Sequence, residues 1–135
     1  MTETRWRWIK ESSVLAIQDA QLAEHGGKPA VRDMSLLLLA LAQPQNPASY
    51  GSPEPDLADL AAVYAVGIAR NHAFVEGNKR TGLVVALSFI QKNGSMVQPN
   101  QRDAVNTMLA VADGKLSDAA LARWFRSYMR PLFSE

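Results

Sequence analysis

Apolar residues recur along this chain at three- and four-residue intervals, the period of helices that bury one face. Val14, Leu15, Ile17 and Leu22 share such a face, with Ser12 or Ser13 as N-cap and Gly26-Gly27 as the stop. Asp33 is placed to cap a second helix through Leu36–Ala42, which ends before Pro44. The proline-rich segment Gln43–Pro55 reads as a loop. Leu57, Leu60, Ala61, Tyr64 and Ile68 form the stripe of an amphipathic helix ending near Arg70 or Asn71. Thr81 to Lys92 is apolar nearly all round, which predicts a buried central helix, closed by Asn93-Gly94. Asn100 opens a helix carrying Val105, Met108, Leu109 and Ala112, and Ser117 caps a last one with Leu121, Trp124, Phe125 and Tyr128 on one face. Only RWRWI near the start alternates with period two. The expectation is an all-α bundle of about six helices, folded as a single domain over residues 1–135.

Composition narrows the class. The hydrophobic fraction of 47% supports a real core, and no apolar run approaches a membrane span. The start, MTETRWRWIKESS, lacks the apolar stretch of a signal peptide. The absence of cysteine excludes disulfides and thiolate metal sites and fits a cytoplasmic protein. A formal net charge of +1 gives no basic excess for nucleic-acid binding.

Chemistry concentrates in NHAFVEGNKRTG, residues 71–82, just before the apolar run Leu83–Ile90. The break between two helices falls here. A helix N-terminus offers unpaired N–H groups and the positive end of its dipole, so it attracts anions. Gly77 permits a positive φ and close backbone approach, Asn78 can cap the helix or donate its amide, and Lys79 and Arg80 add cationic donors. Glu76 is placed to hold Mg²⁺ bridging phosphate oxygens. His72 is placed to take a proton from an attacking hydroxyl. Base, metal ligand and anion clamp in sequence describe phosphoryl or nucleotidyl transfer. Taken singly, each has a plainer reading: His72 as a helix-terminal polar group, Glu76 as a solvated charge, and Lys79 and Arg80 as a solvated pair. His25, before Gly26-Gly27, reads as an ordinary C-terminal residue, and Trp6 and Trp8 as a packed terminal segment. The Leu36–Leu39 run is core or an oligomer contact.

HAFVEGNKRTG resembles the motif of the Fic/Doc superfamily, H-x-F-x-D/E-A/G-N-K/G-R, and more narrowly that of the Doc (death-on-curing) toxins, which carry lysine where Fic adenylyltransferases carry glycine. LAEHGGKPAVRD and LALAQPQN resemble further Doc segments, so the likeness spans roughly residues 12–130. The resemblance implies an ATP- and Mg²⁺-dependent toxin of a bacterial toxin–antitoxin pair. It would phosphorylate a hydroxyl of a translation factor, elongation factor Tu, and would be held silent by an antitoxin in the active-site groove. Matched residue by residue, His72 is the general base, Phe74 the buried anchor, Glu76 the Mg²⁺ ligand, and Gly77, Asn78, Lys79 and Arg80 the nucleotide-binding turn. Gly26, Gly27, Lys28, Pro29 and Arg32 match a flap against which a target chain is laid. Gly26-Gly27 also reads as a plain helix stop.

The chain departs from the pattern at several positions. Lys79, and Leu83 where AMP-transferring relatives carry a second arginine, weaken the reading as a Fic-type AMP transferase. Ala73 stands for a common proline, Gln18 for a histidine, Leu38 for a glutamate and Gln43 for an arginine. Gln18, Leu38 and Gln43 keep open a third reading, a catalytically silent groove-binding module paired with an antitoxin.

Overall fold

The computed structural model describes residues 6–27, 31–50 and 53–132. In chain order it contains α1 (Glu11–His25), α2 (Met34–Ala42), α3 (Gln45–Tyr50), α4 (Leu57–Asn71), α5 (Asn78–Lys92), β1 (Ser95–Val97), α6 (Gln101–Ala112), α7 (Asp118–Tyr128) and β2 (Met129–Pro131). The fold is all-α, as the periodicity predicts, with a two-stranded antiparallel sheet pairing Ser95 with Pro131 and Val97 with Met129. Strands of three residues are too short to show alternation, which is why periodicity does not reveal them.

The centre is the pair α4–α5. Helix α4 is rich in alanine, and Ala58, Ala61, Ala62, Ala65 and Ala69 let neighbours close in on almost every side. It is therefore more enclosed than its amphipathic stripe implied. Helix α5 buries Thr81, Gly82, Val85, Ala86, Phe89 and Ile90 but leaves Leu83 and Leu87 partly exposed, so it is less enclosed than its composition implied. The crossing depends on Gly82, where an added Cβ would stand 2.9 Å from the carbonyl oxygen of Ala65.

Two boundaries differ from the sequence reading. Helix α1 begins one residue before the expected serine caps. Lys10 is the N-cap without a side-chain bond, and its carbonyl accepts from Ser13 N–H at 3.0 Å and Val14 N–H at 3.1 Å. The expected loop 43–55 contains α3. Pro44 precedes that helix and Pro47 lies in its first turn, where no backbone N–H is needed, so neither proline breaks it. Asn78, a candidate cap, instead lies inside α5 with Gly77 as the N-cap, while three caps stand where expected. Asp33 accepts from the N–H groups of Ser35 and Leu36, Asn100 from Asp103, and Ser117 from Ala120.

RWRWI forms no strand over its described residues. Trp8 stacks on Phe89 with ring centroids 5.7 Å apart, and Ile9 N–H donates to the Tyr64 hydroxyl. At the other end, Trp124 Nε1 and the Tyr128 hydroxyl both donate to Asp103, which fastens α7 to α6.

Candidate active site

Helix α4 ends at His72, its C-cap, with φ 53° and ψ 44°. Among the described residues it is the sole non-glycine in the left-handed region, a conformation that costs an L-residue about 1–2 kcal/mol. Such strain is characteristic of functional positions. The imidazole is exposed. Just before it, Arg70 donates to the carbonyls of Val111 and Leu116, both at 2.8 Å, and fixes the end of the helix.

From His72 to Gly77 the chain crosses to α5 in a loop whose carbonyls are turned toward the protein. Arg32 Nε donates to His72 O at 2.7 Å, and Arg32 Nη2 reaches Asn71 O at 3.4 Å. The N–H groups of Arg32 and Asp33 both donate to Ala73 O. Val31 and Phe74 form an isolated antiparallel bridge. Phe74, 1% exposed, is pinned by Asn78, which accepts from Phe74 N–H at 3.0 Å and donates to Phe74 O at 2.9 Å. Gln18 Nε2 donates to Glu76 O at 2.9 Å. A trans peptide points its N–H opposite its C=O. The Glu76 carbonyl held toward α1 therefore leaves the Gly77 N–H pointing away from α1.

The same logic governs the start of α5. Gly77, φ 81° and ψ 16°, is the N-cap, and its carbonyl accepts from Thr81 N–H at 2.9 Å. The N–H groups of Asn78, Lys79 and Arg80 find no backbone acceptor among the described residues. These three residues line a cavity of about 570 Å³, within the range of small-molecule sites. The loop side of its wall is His72, Val75, Glu76, Gly77, Lys79 and Arg80; the other side is His25, Gly26 and Gly27 at the end of α1. A Cβ on Gly27 would lie 2.7 Å from Glu76 Oε2, so the carboxylate occupies the space a side chain there would need.

The structure thus gathers His72, Glu76, Gly77, Asn78, Lys79 and Arg80 around one cavity and places Phe74 beneath the loop as a buried anchor. The amide of Asn78 is committed to Phe74, so what Asn78 offers a ligand is its backbone N–H. Of the flap candidates, Gly26 and Gly27 line the cavity, Lys28 and Pro29 fall outside the described residues, and Arg32 grips the loop carbonyls. His25, given no role by the sequence, lines the cavity as well; its signal was the Gly26-Gly27 turn that follows it. Gln18, counted as a departure, is 3% exposed and bonded to the loop. Leu38 is exposed, and the Gln43 amide packs where a Cβ on Gly67 would stand.

The model of the Fic/DOC family matches residues 8–90. The chain is 30% identical to the protein kinase doc of Escherichia phage P1 over 120 residues, 89% of this chain and 94% of that protein. It is 45% identical to toxin Doc of Mycolicibacterium smegmatis over 69 residues, 51% of this chain and 53% of that protein. The chain belongs to the Fic/DOC family. Within it, the lysine at position 79 and both relatives place it on the Doc branch.

For a member of this family, the donor set fits nucleotide with magnesium. No group of three or more histidine or acidic side chains forms a protein cage among the described residues. Mg²⁺ is commonly held by one or two carboxylates together with substrate phosphates and water. Glu76, beside Lys79, Arg80 and the N–H groups without backbone acceptors that open α5, suits that mode.

Proposed function

We propose that this protein is the toxin of a bacterial toxin–antitoxin pair and transfers a phosphoryl group from ATP to a hydroxyl of a translation factor, with elongation factor Tu as the candidate that the resemblance names. The observation that supports this reading most is the orientation of the loop. Several of its carbonyls are taken up by Gln18, Arg32 and Asn78, while Glu76, Gly77, Lys79 and Arg80 line the same cavity as His72. Such a surface suits terminal phosphates.

In this reading His72 accepts the proton of the attacking hydroxyl. The hydroxyl oxygen bonds to the γ-phosphorus, the bond to the β-phosphate oxygen breaks, and ADP leaves. Gly77 allows the phosphates close to the backbone, and Lys79 and Arg80 balance the charge that develops on the leaving and transferred groups. Glu76 would hold the magnesium ion, which when bound neutralises phosphate charge. Phosphoryl rather than AMP transfer is favoured because Lys79 fills the space a glycine would leave, and because Leu83 puts an apolar side chain one turn into α5.

Leu83 also lines a second groove of about 190 Å³ with Ala104, Val105, Met108 and Leu109, and Lys79 and Arg80 form its basic rim. The antitoxin segment is proposed to lie here, with apolar residues in the groove and acidic residues on the rim. Incubating the translation factor with ATP labelled on the γ- or the α-phosphate tests the chemistry. Label from the γ-position supports the kinase reading, label from the α-position the AMP transferase, and no label the silent module.

A further inference from the structure

We propose that Gln18 is a positioning residue that sets the orientation of Glu76 by holding its carbonyl from α1. The proposal rests on the reading of Glu76 as the residue that holds the nucleotide's magnesium. Gln18 lies between Val14 and Leu22 on the buried face of α1, a stripe that packing alone would fill with an apolar side chain. The residue is 3% exposed, and its amide donates to Glu76 O at 2.9 Å. The same nitrogen stands 3.7 Å from where a Cβ on Gly77 would be, so it faces the turn directly.

The geometric consequence follows from the peptide plane. Fixing Glu76 O toward α1 points the Gly77 N–H the opposite way and fixes ψ of Glu76. With that angle set, the Glu76 side chain runs to Gly27, also part of the α1 end, where the missing Cβ leaves room for its carboxylate. Helix α1 therefore holds the carbonyl through Gln18, and the turn that follows it leaves room for the carboxylate at Gly27. The requirement is for a donor. A carboxylate at position 18 would face a carbonyl with only acceptors, whereas a histidine, the residue the family pattern has there, brings a ring N–H.

The test compares wild type with Gln18→Met, which keeps length and loses the donor, and with Gln18→His, which restores one. Three quantities are read: amide hydrogen exchange over residues 75–80, binding of Mn²⁺ in the presence of ATP, and melting temperature. Gln18→Met is expected to speed exchange in the loop while α6 and α7 exchange as before. It should weaken Mn²⁺ binding by about 10–100-fold, the usual effect of losing an outer-shell partner, and Gln18→His should recover most of both. The proposal is overturned if Gln18→Met lowers the melting temperature yet leaves loop exchange and Mn²⁺ binding at wild-type values. A wild type that binds no Mn²⁺ with ATP instead removes the reading of Glu76. Loop exchange then decides the positioning claim alone, and unchanged exchange in Gln18→Met overturns it.

Discussion

Asn78 and Phe74 are joined by two hydrogen bonds, backbone N–H to side-chain Oδ1 at 3.0 Å and side-chain Nδ2 to backbone carbonyl at 2.9 Å. One amide thereby closes the active-site loop onto the helix that follows it. Asn78→Ala leaves both backbone groups of a buried residue unpaired, at about 1–3 kcal/mol for each unsatisfied group. The expected outcome is a clear loss of stability in urea unfolding together with loss of ligand binding at the cavity. Asn78→Asp keeps the acceptor and loses the donor, and should fall between the two. Equal stability of Asn78→Ala and wild type would show that the pair is not what closes the loop.

His72 opposes stability to chemistry. Its left-handed backbone disfavours any side chain, yet the imidazole is what a general base requires. Both His72→Ala and His72→Gly should lose transfer by ~10²–10⁴-fold, the usual weight of a general base. They should differ in stability, with the glycine variant more stable than the alanine variant by about 1 kcal/mol, since glycine accepts this conformation freely. Thermal unfolding of the two variants side by side checks the claim, and equal melting temperatures would contradict it.

Gly27 is expected to tolerate no side chain. A methyl there meets Glu76 Oε2 at 2.7 Å and Leu22 Cδ2 at 2.8 Å, on a backbone with φ 124°. Gly27→Ala should displace the carboxylate and reduce Mn²⁺ binding in the presence of ATP. Gly26→Ala, at φ 82° with no atom within 4 Å, should strain the turn without touching Glu76. Indistinguishable Mn²⁺ affinities in the two variants would show that Gly27 does not govern the carboxylate.

Acid stability carries a separate signature. The Arg126 guanidinium, bonded to Asp56 at 2.7 Å, holds that carboxyl at about 2, below its ordinary 3.8. A depressed folded-state value stabilises above the unfolded pKa and ceases to do so as pH falls through the folded one. The advantage of wild type over Arg126→Gln should therefore be full at pH 6 and fade between about pH 4 and 2. The pair is half exposed, so the full effect should be no more than about 1 kcal/mol. Urea midpoints of both proteins across that range give the comparison, and a gap that widens toward low pH would contradict the assignment.

What the sequence disclosed, and what it hid, divides by the range of the interaction. Helices with long stripes and capping residues, such as the one opened by Asp33 and the one ended before His72, were legible because their signals are local. So were the loop residues, which sit together in twelve positions. Gln18 and Arg32 were not, because their partners lie 58 and 40 residues away. A polar residue on an apolar helix face is the only trace such a contact leaves in a sequence. The short helix α3 was hidden by prolines that its first turn accommodates, and the β1–β2 pair by its length. Of the alanines of α4 only Ala61 entered the predicted stripe, although the backbone at Ala65 and Ala69 is where Gly82 of α5 closes in.

The central claim is that the terminal phosphate of ATP is brought to a hydroxyl at His72, and Lys79 makes the choice between phosphates. Parallel incubation of elongation factor Tu with γ-labelled and α-labelled ATP, using wild type, His72→Ala and Lys79→Gly, measures this directly. The account predicts label from the γ-position alone with wild type and none with either variant. Label from the α-position alone with wild type would contradict it and would make the protein an AMP transferase despite Leu83.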